Sequence, residues 1–535
     1  MWKIDDMSPA AKPSVTSGIF AMMIALCQLL LLLGASAGLA QRPNIVFLYA
    51  DDHAAHAVSA YRTHLPYAIP LPATPNIDRI AQQGMLFRNA FVTNSICGPA
   101  RAAVLTGQYG HLSGVMTNQD SLHPTAVTFP KILRAGGYQT FLFGKWHLIE
   151  RPAGFDHYEI LPGQGSYYNP VLLSEADSTR LTGYTQDIIT DHALEWLRNK
   201  RDSAKPFMVM LHFNAPHRPW DPGPAQLGLY RDADLSEAST LFDDGSGRAF
   251  RTNEPEMTIA QDMIARDLKL EEPVNLNAEQ LAEWRKWYDP ENAAFRAAGL
   301  TGAALTRWKY QRYIKDYMRA VQGIDANIGR VLQFLEANNL ANNTVVIYTS
   351  DQGFFLGDHG WFDKRWMHEE SLRTPLVVRW PNVTKAGSVN SDLIMNLDIA
   401  QTLLDIAGMQ APPTMQGLSF EPLLRGARPR DWRDAIYYQY FAYPDWHMVQ
   451  RQYGVRDRRY KLIHYYEVGK WELFDLDRDP HELRSVYDER GYQDVVKKMK
   501  EKLATLRALY RAPEHDPVPH RPWAPPPGYE RKPGP

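Results

Sequence analysis

The chain is 535 residues long, more than one hydrophobic core usually serves, so two packed units are expected. With 44% hydrophobic and 22% charged residues it has the composition of an ordinary globular protein. A formal net charge of −2 argues against a nucleic-acid partner held by bulk electrostatics, but leaves room for a local basic pocket that takes a small anion.

Residues 19–33 are apolar except for Gln28 and run into Ala35-Ser36-Ala37 and Gly38-Leu39-Ala40. The run is shorter than the ~20 residues that span a bilayer as a helix, and the small residues after it suit signal-peptidase cleavage. Residues 1–40 are therefore read as a signal peptide, with Met7 as a better-placed start than Met1. The mature protein is expected to be exported (periplasmic or secreted, lysosomal or extracellular in a eukaryote) and to keep no membrane span. Cleavage removes Cys27 and leaves Cys97 as the sole thiol, which excludes an intramolecular disulfide.

Residues 43–50 form a short β-rich apolar run that ends in Asp51-Asp52, and residues 344–350 repeat the pattern before Asp351-Gln352. Residues 207–213 and 376–379 are further strands of the same kind. Runs without alternation are buried on both faces, as in a parallel sheet covered by helices. Residues 185–199 and 310–337 have helical periodicity, and the alternation predicts a doubly wound, mostly parallel α/β sheet. Such sheets bind ligands beyond the carboxyl ends of their strands, where Asp51, Asp52 and Asp351 fall. Residues 221–306 are charged, rich in Pro and Gly and weakly periodic, and are expected to be an insertion over one sheet edge. From 427 to 511 short aromatic strands and one amphipathic helix predict a smaller antiparallel subdomain, after a first domain of 41–426. Residues 512–535 are a Pro-rich tail.

Cys97 lies in Ser95-Ile96-Cys97-Gly98-Pro99-Ala100-Arg101. The Pro and the helix formers after it place Cys97 just before a helix N-terminus, where free N–H groups favour an anion. A buried small hydrophobe is the alternative. Three carboxylates with the Gln352 carboxamide make a hard-oxygen set suited to Ca²⁺ or Mg²⁺; solvated turn acids are the alternative.

The segment 95–107 resembles the sulfatase signature, whose core is Cys-x-Pro-x-Arg. Gly137-Tyr138-Gln139-Thr140 through Gly144-Lys145-Trp146-His147 resembles the second signature of that family. The likeness continues through Asn214-Ala215-Pro216-His217-Arg218-Pro219-Trp220, Ser350-Asp351-Gln352-Gly353, Gly357-Asp358-His359-Gly360 and Asp363-Lys364-Arg365. The resemblance implies an alkaline-phosphatase-like fold and hydrolysis of sulfate esters. It implies that a formylglycine-generating enzyme oxidises Cys97 to formylglycine, whose hydrate is the nucleophile. Asp51, Asp52, Asp351, Gln352 and the Cys97-derived oxygen would hold Ca²⁺, although the family more often has Asn or His where Gln352 stands. Arg101 would stabilise the modified side chain, and Lys145 and Lys364 would neutralise sulfate oxygens. His217 would protonate the leaving oxygen, and His147 would take a proton from the hydrated aldehyde. His359 and His368 flank Lys364 and are candidates to line the pocket, while Glu369 and Arg373 are expected to pair on a helix.

The segment 161–170, together with residues 362–366, resembles exported glycan sulfatases, N-acetylglucosamine-6-sulfatases among them. This implies a sulfated carbohydrate substrate from a glycosaminoglycan or an algal polysaccharide. Two other readings stay open: a phosphonate or phosphate ester hydrolase of the same fold, and a catalytically silent protein that binds sulfated glycans.

Overall fold

The computed structural model describes residues 42–519, so the leader, Cys27 and the end of the Pro-rich tail lie outside the described residues. The described residues from Pro43 onward cluster as one compact unit. Its frame is a ten-stranded sheet centred on five adjacent parallel strands, Thr344–Ser350, Asn44–Ala50, Phe207–His212, Gln139–Lys145 and His157–Leu161. Every residue of Asn44–Ala50 is buried, as an apolar run without alternation requires. Ile45, Phe47 and Tyr49 pack on one face with residues of the helices Cys97–Thr106, Phe129–Ala135 and Asp398–Ile406. Val46, Leu48 and Ala50 pack on the other with Pro75–Gln83, Thr185–Asn199 and Gly302–Ala337. Two helical layers thus enclose one sheet, the doubly wound arrangement.

The sheet is more mixed than the sequence suggests. Leu376–Arg379 runs antiparallel to both Thr344–Ser350 and Met85–Phe87, and the edge beyond His157–Leu161 is also antiparallel. Parallel pairing needs a crossover along the whole sheet. The connection from 351 to 375 carries a two-residue hairpin, Phe355–Leu356 with Phe362–Asp363, and the short helical turns Asp358–Gly360 and Glu369–Leu372, but no crossover helix, so the chain re-enters from the end it left.

The segment 221–306 also differs from expectation, since it holds the helix Ala278–Ala298. Asn277 and Gln280 close its N-terminus as a reciprocal capping box, an Asn-x-x-Gln signal present in the sequence. The next helix begins at Gly302, earlier than residue 310. Beyond 426 the four antiparallel strands Ala435–Tyr440, Gln452–Asp457, Tyr460–Tyr465 and Lys470–Asp475 form in order, followed by the helix Gln493–Leu509. Their apolar residues share one cluster with Ile96, Trp361, Trp366 and Met395. Beside it, Glu369 pairs with Arg373 as expected, and also with Arg456 at 3.1 Å and Lys461 at 3.0 Å. Among the described residues, no helix is long and apolar enough to cross a membrane.

Candidate active site

The parallel centre of the sheet sets two acidic turns side by side. Asp51 and Asp52 follow Asn44–Ala50, Asp351 follows Thr344–Ser350, and the Asp351 amide donates to the Ala50 carbonyl at 3.2 Å. Asp52 is held at φ +68, a region tolerable for Asp but costly for most residues. Tyr317 maintains this turn: its hydroxyl donates to the Asp52 carbonyl at 2.8 Å and accepts from the Ala54 amide at 2.9 Å. Gly353 follows because a Cβ there would lie 2.0 Å from the Glu370 carbonyl oxygen.

The helix Cys97–Thr106 brings its first residue onto these acids, with Cys97 Sγ 3.4 Å from Asp51 Oδ1. Arg101, one turn on, reaches Asp351 Oδ2 through Nε at 3.1 Å and Nη2 at 3.0 Å, and donates to the Lys145 carbonyl at 3.0 Å. Lys145 ends Gln139–Lys145 and pairs with Asp51 and the Gln164 side chain. Gly144 permits this approach: its φ is +100, and a Cβ would lie 2.0 Å from the His212 carbonyl oxygen. From the opposite side Lys364 Nζ lies 2.6 Å from both oxygens of Asp52 and 3.6 Å from Cys97 Sγ. His217 Nε2 is 3.7 Å from Asp52 Oδ2. Gln352 donates its amide to Asp52 and lies 3.7 Å from Cys97 Sγ. His147 is mostly buried, with no partner for Nδ1.

The electrostatics follow from burial and from these contacts. Burial, with Asp51 and Asp52 close by, pushes Asp351 up to about 8 despite Arg101. Burial also acts on Asp51, but Lys145, His217 and Arg101 outweigh it and hold that carboxyl well below the usual range. Burial and Asp51 raise the Cys97 thiol to about 12. This corrects the expectation of an anion-favouring helix start: Cys97 is the first residue of the helix, and the Gly98 amide is already taken by Asn118 Oδ1 at 2.8 Å. An unmodified Cys97 is an inert, protonated thiol at neutral pH. Burial lowers His217 to about 4, and burial with Lys145 lowers His147 to about 2, so both rings are neutral.

Asp51, Asp52 and Asp351 each offer an oxygen, and the three lie within 4.8 Å of one another. The donor set fits a hard divalent cation. Two further observations agree. Asp351 is driven toward protonation by its neighbours, and Gln352 Oε1 is buried with no partner. Exchanging the two ends of the Gln352 amide would turn that oxygen toward the acids.

The sulfatase family profile matches residues 43–409, and the profile for the C-terminal part of N-sulphoglucosamine sulphohydrolase matches 357–509. The chain belongs to the sulfatase family. It is 41% identical over 499 residues to an N-acetylglucosamine-6-O-sulfatase of Bacteroides thetaiotaomicron, covering 89% of this chain and 88% of that one. A solved structure of a protein in complex with its substrate D-glucosamine-2-N,6-O-disulfate superposes with a TM-score of 0.86 at 41% identity, over 89% of this chain and 100% of the other. The phosphonate monoester hydrolase of Agrobacterium radiobacter matches at TM-score 0.65 and 22% identity, over 90% of this chain and all of that one, which is a likeness of fold alone.

In this sulfatase all ten sequence-chosen residues converge on one end of the sheet, but the two flanking histidines do not. His359 turns to Asp243 at 3.3 Å and Glu370 at 3.8 Å, and His368 is enclosed by the rings of Phe355, Trp361, Trp366 and Phe474. His53 is a buried ring bonded to the Tyr348 hydroxyl. Several supporting residues were not singled out from the sequence: Tyr317, Asn118, Gln164 and His447. His447 Nε2 lies 3.3 Å from Asp363 Oδ2, beside Lys364. Only Gln164 stood in a quoted motif; nothing in the local pattern around His447 marks it. A cavity of about 100 Å³ opens beside His217, lined by Gln164, Tyr167, Asn214 and Arg218.

Proposed function

We propose that this sulfuric ester hydrolase removes 6-O-sulfate from glucosamine residues of a sulfated glycan, using a formylglycine made from Cys97 and a Ca²⁺ ion. The observation that carries the reading is the ring of Lys145, Lys364, Arg101 and three carboxylates around a buried thiol that is chemically silent as cysteine. The relative at 41% identity supports the sugar and the position of the ester. The modification would supply a nucleophilic oxygen where the thiol supplies none, and Ca²⁺ would lower the pKa of that oxygen while neutralising the acids. Asp51, Asp52, Asp351 and Gln352 would hold the ion.

Lys145 and Lys364 bind the sulfate oxygens and balance the charge that grows as the ester bond breaks. Arg101 braces Asp351 and the residue at 97. His217 donates Nδ1–H to the Arg218 carbonyl at 2.6 Å, so in the neutral ring Nε2 carries the lone pair. It becomes an acid once protonated, a state favoured by a bound anion, and Nε2 then gives its proton to the departing sugar oxygen. His147, held neutral, accepts a proton on the opposite side. The cavity beside His217 receives part of the sugar.

Maturation requires a formylglycine-generating enzyme as partner, and export accounts for a leader at residues 1–40. The test is direct. Protein matured in a host with that enzyme should lose the sulfur of residue 97 by peptide mass and should release sulfate from glucosamine 6-sulfate. Faster cleavage of the matched phosphate ester would overturn the sulfate assignment. An unmodified Cys97 together with binding but no hydrolysis would make the protein a glycan binder.

A further inference from the structure

The chain does not end its structural work at the helix Gln493–Leu509. Arg507 donates to the Pro513 carbonyl at 2.7 Å and turns the following residues back across the small sheet. Asp516 Oδ2 then accepts from Arg451 Nη1 at 2.7 Å and from the Tyr466 hydroxyl at 2.6 Å. Its Oδ1 accepts from the Val518 amide at 2.9 Å, and the Val518 carbonyl accepts from the same Arg451 Nη1 at 2.9 Å. Arg451 is only 2% exposed, and its Nε and Nη2 both donate to the Tyr443 carbonyl, at 3.1 and 2.8 Å. One buried guanidinium therefore ties the tail to the loop between Ala435–Tyr440 and Gln452–Asp457.

That loop leads to the site. Four residues beyond Tyr443, His447 Nε2 faces Asp363 Oδ2 at 3.3 Å, and Asp363 Oδ1 accepts from the Lys364 amide at 2.8 Å and from Arg365 Nε at 3.0 Å. His447 and Met448 sit at φ +67 and +49, a region that L side chains occupy at a cost unless neighbouring structure holds them. Val518 and Pro519 also close a crevice of about 30 Å³ against Thr117 and Gln119. Asn118, between those two, caps the Gly98 amide next to Cys97. The tail thus abuts two loops that reach the site from different sides.

We propose that residues 516–519 are a strap that fixes the 441–449 loop and holds His447 against Asp363, making Asp516 and Arg451 positioning residues for Lys364 and the ester it binds. The part of this inference that concerns turnover rests on the function proposed above. Loss of Asp516 leaves Arg451 with Glu467 at 3.5 Å and the Tyr443 carbonyl, so the fold is expected to survive the loss.

The test compares full-length matured protein with Asp516→Ala and with a chain ended after Ala512. Amide exchange within 441–449 should quicken about tenfold, while 44–50 and 344–350 keep their protection. KM for glucosamine 6-sulfate and for 4-nitrophenyl sulfate should both rise, by about tenfold, because each ester needs Lys364, while the urea midpoint stays at the wild-type value. Asp516→Asn, which keeps an acceptor oxygen, should recover most of the KM. Unchanged exchange in 441–449 would overturn the strap, and equally quickened exchange in 44–50 and 344–350 would reduce it to ordinary stability. Wild-type protein that leaves glucosamine 6-sulfate intact would sink the substrate reading alone, because the exchange measurement still decides the strap.

Discussion

Replacing Lys364 with Ala is the sharpest test of the site's electrostatics. Its ammonium is buried, 2.6 Å from both oxygens of Asp52 and 3.6 Å from Cys97 Sγ. Burial works against the charge, but Asp52, with Cys97 and Asp363, outweighs it and holds the pKa well above the usual lysine range, so the group is cationic at any working pH. Two losses follow. Removing one preorganised donor from a developing oxyanion costs roughly 10²–10³ in kcat, about 3–4 kcal/mol. Breaking a buried ion pair from one side costs about 3–5 kcal/mol of stability, because Asp52 then faces Asp51 and Asp351 with less compensation. A divalent cation would offset most of the second loss and none of the first. Urea unfolding in chelator should therefore show a deficit that saturating calcium largely removes. Turnover of glucosamine 6-sulfate, measured in that calcium, should remain depressed. A kcat within about threefold of wild type under those conditions would refute the reasoning, since one lost oxyanion contact should exceed it.

Asp351→Asn should weaken calcium binding by at least about tenfold, as expected when one of three carboxylate ligands is lost. Calorimetry in buffers of different ionisation enthalpy gives a second readout. Wild-type protein at pH 7 should release a proton on binding calcium, because Asp351 sits at about 8 without it; the variant should release none. Equal affinity in the two proteins would count against the ligand assignment. His217→Ala should slow hydrolysis of the sugar ester by about 10²–10³ and spare 4-nitrophenyl sulfate, whose leaving group needs no proton. Equal slowing of both would exclude the acid role. At Glu482, burial, with Glu369 and Glu370 facing it, pushes the carboxyl up to about 7 against the pull of Lys461. Between pH 4.5 and 7 the folded state keeps a proton that the unfolded state has released, so this contribution is present at low pH and fades as pH rises through 7. The raised value corresponds to a change on the order of 3 kcal/mol, and Glu482→Gln should flatten that slope in Tm against pH.

The parallel centre of the sheet was legible because buried strands leave uninterrupted apolar runs, and Thr344–Ser350 forms at the residues its pattern marked. The direction of Leu376–Arg379 was not legible, since an apolar run is the same read either way and only the connection decides it. The helix Ala278–Ala298 escaped notice because Pro290 and a weak apolar stripe hide its period, although its capping box was in view. In the site, the residues given catalytic or metal roles from motifs came together, whereas Tyr317 and His447 act on it through distant contacts that no local spacing encodes. His359 and His368 show the converse. Proximity to Lys364 in sequence put them near the site, but their rings turn away from it toward Asp243, Glu370 and a nest of aromatics.

The formal charge of the cluster bears on which ester it serves. Asp51, Asp52 and Asp351, once ionised, balance Arg101, Lys145 and Lys364, so a divalent cation leaves the site with two positive charges. A sulfate monoester brings one negative charge, and the released sulfate carries two. Electrostatic attraction therefore grows along the reaction and favours the transition state over the bound substrate, which is the condition for binding energy to raise kcat. A phosphate monoester already carries close to two negative charges at neutral pH. It would meet its full attraction in the ground state, gaining affinity without a matching gain in rate. The fold is shared with a phosphonate monoester hydrolase and cannot separate the two chemistries, but this charge balance can. It points to a site that binds phosphate esters tightly and turns over sulfate esters faster.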